Sequence, residues 1–309
     1  MSKIIVGVDE SPGSADAIAL ASSLAGMTGA TLMLVNVFPY DTYPSRAVNR
    51  DFEDYLRQDS NELLERIRSA HGDETAEIKA VANPSSAHGL HDLAEEIDAG
   101  LIVVGSTHTG RAGRVAPGST AERLLHGSPC PVAVAPKAYA SETVREPGIV
   151  GVGYDGSATA QHALETAHRI AARTGARLRV IRAFRGLAYD VPPQKGVPMG
   201  GISLSYNDQL RDKASEHLEE TVAKLEGEPR GEPFFAVGDP AKILVEVSED
   251  LDLLVLGSRG YGPLHSVLVG GVAGRVVRDA ACPVLVLPRK AGHVEEGSLF
   301  AETAPPVHG

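Results

Sequence analysis

The chain repeats itself, and that repeat limits its folds more than any other feature of the sequence. The segment Val-Gly-Val-Asp-Glu-Ser, which carries Asp9, returns as Val-Gly-Tyr-Asp-Gly-Ser, which carries Asp155. The stretch from Thr28 to Phe38 returns from Thr174 to Phe184, an offset of 146. Val-Ala-Asn-Pro-Ser-Ser returns as Val-Gly-Asp-Pro-Ala-Lys, and Leu-Ile-Val-Val-Gly as Leu-Leu-Val-Leu-Gly. Gly105 and Gly257, like Cys130 and Cys282, are 152 apart, so the copies differ by loop insertions between matched anchors. The 309 residues are therefore one domain written twice.

Each copy alternates short apolar runs with amphipathic stretches, the pattern of parallel strands joined by helices. In the first copy, strands are expected at Ile4–Val8, Thr31–Phe38, Ile78–Val81, Leu101–Val104 and Val132–Ala135. Ser11 and Pro12 are expected to open a helix running to about Ala25, and further helices fall near 87–98 and 119–126. Phe52, Leu56, Leu63 and Ile67 predict one helical stripe, and Leu210, Ala214, Leu218, Val222 and Leu225 another. The fold class is α/β: two tandem doubly wound, Rossmann-like domains, each a five-stranded parallel sheet with helices on both faces. Their expected bounds are 1–143 and 144–290. A linker is expected at Ser141–Pro147, a Gly- and Pro-rich loop at 185–203, and a mobile tail over 291–309.

Charge and composition exclude several classes. Lys and Arg number 29 against 40 Asp and Glu, a net charge of −11, which argues against nucleic-acid binding. No apolar run reaches the ~20 residues of a membrane span. The N-terminus runs straight into a strand pattern, leaving no room for a signal peptide. Two cysteines make no disulfide framework and fit a reducing cytoplasm. Gly151–Gly156 matches a dinucleotide fingerprint in form, but its counterpart in the first copy lacks two of the glycines. There is neither a P-loop nor a nucleophile elbow. His88 and His91 read as surface histidines and Cys130 and Cys282 as buried, inert thiols.

In an open parallel sheet a ligand sits beyond the strand C-termini where the strand order switches. Asp9 and Asp155 stand at one such strand end, and Gly105 and Gly257 at another. In the second copy Gly257, Gly260 and Gly270 precede a helix expected over 271–279, whose free N–H groups favour a phosphate chain. The alternative is that the glycines only turn the chain and that the aspartates only cap helices.

These motifs together resemble the universal stress protein family, over about residues 1–290 as two tandem copies. The resemblance implies adenine-nucleotide binding in one subgroup and dimerisation through the last strands. It places Asp155 at the adenosine and the backbone near Ala183 at adenine. Gly257, Gly260, Gly270, Gly271 and Val272 then meet ribose and phosphates, with Ser258 and Arg259 beside them. Gly271 stands where that subgroup has Ser or Thr. In the first copy the matching set is Asp9, Val37, Gly105, Ser106, Thr107, His108, Gly118, Ser119 and Thr120. His108 replaces the second glycine, and Arg111 and Arg114 could add positive charge there.

Three functions stay open. The first is a stress-response module that binds ATP, with or without Mg2+, and acts through ligand-biased conformation or interaction. The second is an interaction protein without nucleotide, and the third a slow ATPase. No base for the attacking water can be named, so an enzyme is the least supported. The expected partners are an adenine nucleotide and the chain's own second half, through Val132–Ala135 against Val284–Leu287, with a homodimer as a further option.

Overall fold

The computed structural model describes residues 2–40, 50–107, 111–141, 147–185, 199–258 and 271–288. The first half runs β1 (Lys3–Gly7), α1 (Gly13–Thr28), β2 (Thr31–Phe38), α2 (Arg50–His71), β3 (Glu77–Ala82), α3 (Ser86–Glu96), β4 (Leu101–Val104), α4 (Ser119–Gly127) and β5 (Val132–Val134). The second half repeats it as β6 (Ile149–Gly153), α5 (Ala158–Thr174), β7 (Arg177–Phe184), α6 (Met199–Ala223), β8 (Gly231–Val237), α7 (Pro240–Val247), β9 (Leu253–Gly257), α8 (Gly271–Asp279) and β10 (Val284–Leu287). The helix α6 already begins inside the Gly- and Pro-rich segment expected to be a loop; residues 186–198, like the expected boundary near 143 and the tail, lie outside the described residues.

All ten strands form one sheet, in the order β3-β2-β1-β4-β5-β10-β9-β6-β7-β8. Each half has its five strands parallel in the same relative order. The halves join where β5 and β10 pair antiparallel, Ala133 opposite Leu285. That is the pairing the open-edge argument expects, made within one chain.

The central strands are continuous apolar runs because both their faces are covered. Ile4, Ile5 and Val6 are fully buried, and so are Leu101, Ile102 and Val103. One core layer lies under α1, α2, α5 and α6, and the other under α3, α4, α7 and α8; each continues across the seam. The helix ends repeat as the sequence does. Thr28 and Thr174 hydroxyls return to Leu24 and Ile170 carbonyls at 2.8 and 3.0 Å, and Gly29 and Gly175 end the helices at φ 68° and 67°.

The helical stripe on α2 needs correction. Phe52 is 51% exposed, whereas Leu64 is fully buried. Twelve residues separate them, which at about 100° per residue turns Phe52 roughly 120° away from the core.

Asp16, on α1, is buried and holds the chain leaving β5. Its two oxygens accept the N–H groups of Ala138 and Ala140 at 2.9 and 2.8 Å.

Candidate functional site

At the C-terminal end of β1, the chain turns at once into α1. Asp9 Oδ1 accepts the Ser11 N–H at 2.9 Å and the Ser14 hydroxyl at 3.0 Å, and the Asp9 N–H donates to that hydroxyl at 2.8 Å. The helix itself starts at Gly13 after Pro12, so Asp9 rather than Ser11 organises the entry. In the second half Asp155 Oδ1 accepts the Ser157 N–H at 2.9 Å, and Ser157 caps α5 through the Ala160 N–H. Both aspartates are exposed. One oxygen of each thus shapes the turn, as the capping alternative supposes, and both residues lie at the surface.

These turns pack on the ends of β4 and β9. A β-carbon on Gly105 would lie 2.0 Å from the Gly13 carbonyl oxygen, and one on Gly257 2.5 Å from that of Thr159. The two glycines are therefore required by backbone packing within the protein. The same contact brings the aspartate turn and the glycine strand end, about 100 residues apart, into one place in each half.

The remaining first-half residues divide. Ser106 is buried; its hydroxyl donates to Ala135 O at 2.6 Å and accepts the Ala116 N–H at 2.9 Å, tying the loop to the end of β5. The Thr107 N–H donates to Ala116 O at 2.7 Å. Gly118 caps α4, whose first residues are Ser119 and Thr120. Val37 and Ala183 lie half-buried near the ends of β2 and β7. Of the second-half set, Ser258 is fully buried with its N–H on Leu287 O at 2.9 Å. Gly271 and Val272 open α8, and among the described residues a β-carbon on Gly271 would meet nothing within 4 Å. His108, Arg259, Gly260 and Gly270 lie outside the described residues.

Arg114 does not serve the site as the sequence suggested. Its guanidinium donates to Asp279 O at 3.0 Å and pairs with Glu249, both in the second half. Beside it Val115 is fully buried and its N–H donates to Ala280 O at 2.8 Å. Arg278 answers with Glu122 at 3.2 Å, so part of the first glycine loop belongs to the seam between the halves.

Sequence reasoning missed two arginines. Arg123 on α4 donates to Ser85 Oγ, and Arg275 on α8 pairs with Asp239. Their separation of 152, the same as between Gly105 and Gly257, was the available signal.

Both thiols are free and buried. Burial pushes Cys130 up to about 12 and raises Cys282 further. Neither should therefore react with a thiol reagent at pH 8 in the folded protein, and both should react in denaturant; fast labelling of the native chain would refute their placement.

The universal stress protein family model matches residues 1–136 and again 148–288, and the chain belongs to that family. A universal stress protein of Mycobacterium tuberculosis is 32% identical over 212 residues, 67% of this chain and 70% of its own. The crystal structure of one from Archaeoglobus fulgidus covers 93% of this chain and 98% of its own, with a TM-score of 0.64 at 20% identity. Another member, 27% identical across 46% of this chain and 98% of its own, was solved in complex with cAMP, with a TM-score of 0.30. No helix among the described residues is long and apolar enough to cross a membrane.

Proposed function

We propose that both halves bind an adenine nucleotide and that occupancy biases the conformation or interactions of a cytoplasmic stress-response protein. The observation that carries this reading is the repeated contact between aspartate turn and glycine strand end, Asp9 with Gly105 and Asp155 with Gly257. Two such placements at the ends of parallel strands, in a universal stress protein, favour a ligand over a bare turn.

The roles follow from chemistry. Asp155 and Asp9 accept hydrogen bonds from the ribose or base, and the backbone near Ala183 and Val37 meets adenine. The first-turn N–H groups of α8 and α4, at Gly271, Val272, Ser119 and Thr120, receive phosphates; Ser119 adds a hydroxyl. Among the described residues nothing crowds Gly271, which suits a phosphate at that helix end. Arg259, Gly260 and Gly270, with His108 in the first half, complete the loops by their place in the motif. If Mg2+ accompanies ATP, it is held by the nucleotide's own phosphates, and no residue here is assigned to it. Two buried, unpaired thiols accord with a reducing compartment.

Equilibrium dialysis of the full chain against ATP tests the proposal. Wild type should bind, and Asp155→Ala with Asp9→Ala should weaken binding roughly tenfold or more by removing a charged acceptor. No binding by wild type at millimolar ATP would sink it and favour an interaction protein. Phosphate release above background would instead establish the slow ATPase.

A further inference from the structure

Arg123 and Arg275 stand at matched positions one turn into the helices that follow the two glycine motifs, yet they meet different partners. Arg275 Nε donates to Gly271 O at 2.9 Å, and its Nη1 reaches both Asp239 oxygens at 3.1 and 3.2 Å. Asp239 also caps α7, with Oδ1 accepting the N–H groups of Ala241 and Lys242 at 3.0 and 3.2 Å. The Lys242 N–H, and after it Arg275, hold the Asp239 carboxyl below the usual carboxylate range. Its charge therefore faces Arg275 at neutral pH.

In the first half the matching Val-Ala-Asn-Pro turn puts Asn83 where the second half has Asp239. The local geometry is kept: Asn83 Oδ1 accepts the Ser85 N–H at 2.9 Å, as Asp239 Oδ1 accepts that of Ala241. The charge is lost. Arg123 Nη1 donates only to the neutral Ser85 hydroxyl, at 3.3 Å, and among the described residues it enters no ion pair. Side chains on a helix lean toward its N-terminus, so each guanidinium lies toward the end where phosphates are placed above. In sequence the two glycine loops are matched in charge. With Arg114 taken up by Glu249 and Asp279, each loop keeps one arginine, Arg111 in the first half and Arg259 in the second.

We propose that the exchange of Asn83 for Asp239 makes the two sites unequal: the first half prefers a nucleoside di- or triphosphate, the second a monophosphate or nucleoside. This rests on the nucleotide reading above and deepens it. One uncompensated guanidinium favours each added phosphate charge, whereas a carboxylate at the same place repels it.

Titration calorimetry of the full chain with ATP, ADP and AMP tests this through the reciprocal variants Asn83→Asp and Asp239→Asn. The first should weaken ATP relative to AMP by about threefold to fivefold, and the second should strengthen it by a similar factor. Both shifts should shrink at high salt. If the variants bind nucleotide but keep the wild-type ratio of ATP to AMP affinity, the charge assignment falls and the nucleotide reading stands. If wild type binds none of the three, both fall. Each substitution retains the Oδ1 acceptor, and urea midpoints show which variants are folded. Should Asp239→Asn unfold, Asn83→Asp decides alone.

Discussion

Gly105→Ala should lower the unfolding free energy by about 3 kcal/mol or more, or abolish folding. The new carbon would lie 2.0 Å from the Gly13 carbonyl oxygen, so the obstacle is backbone that cannot rotate aside. Relief requires α1 to move off β4, with loss of packing by Ala17 and Leu20, both buried in the layer they share with Val103. Gly271→Ser, in the same motif, should behave in the opposite way. Among the described residues nothing lies within 4 Å of the added carbon, and replacing a helical glycine stabilises by roughly 0.5 kcal/mol. Urea denaturation of both variants beside wild type makes the comparison. An unchanged midpoint for Gly105→Ala would refute the backbone contact, and a large loss in Gly271→Ser would refute the open helix end.

Asp16→Ala should rank next, costing about 2–4 kcal/mol. The carboxylate is 5% exposed and is the acceptor for two N–H groups, at Ala138 and Ala140. Its removal leaves both donors without their charged partner and frees the chain just beyond β5, where the halves are joined. Asp16→Asn should recover little, because its amide keeps one acceptor and turns a second donor toward the other N–H. A wild-type unfolding midpoint for Asp16→Ala would show that this tether holds nothing; partial proteolysis should otherwise find the segment after residue 137 more exposed in the variant.

Much of the fold could be read directly because buried strands have little freedom in their composition. Thr31–Phe38 and Leu101–Val104 have the expected bounds to the residue, each an apolar run covered on both faces. Reading α2 was harder because an exposed aromatic such as Phe52 imitates a core position when the helical phase is set by neighbours. The buried phase is fixed instead by Ser60, Leu64 and Ile67. At the candidate site, residue types and order were legible but their reasons were not. A glycine that admits a ligand and a glycine that admits another stretch of backbone are the same letter. At Gly105 and Gly257 backbone packing alone already requires the glycine, whatever else it admits. Arg114 was equally ambiguous: a cation in a glycine loop can answer a phosphate or, as here, a glutamate in the other half. Only the three-dimensional neighbours of such residues distinguish these cases.

The antiparallel joint between β5 and β10 fixes where the two candidate sites face. Because every strand within a half runs the same way, reversing direction at that one joint sends the two sets of strand C-termini to opposite rims of the sheet. The two candidate mouths therefore open back to back. On the nucleotide reading proposed above, each rim would hold its own ligand, and the β5–β10 joint is the direct strand pairing between the two halves. Such a chain would be a two-ended gauge, its halves facing separate ligand pools from opposite rims of one sheet.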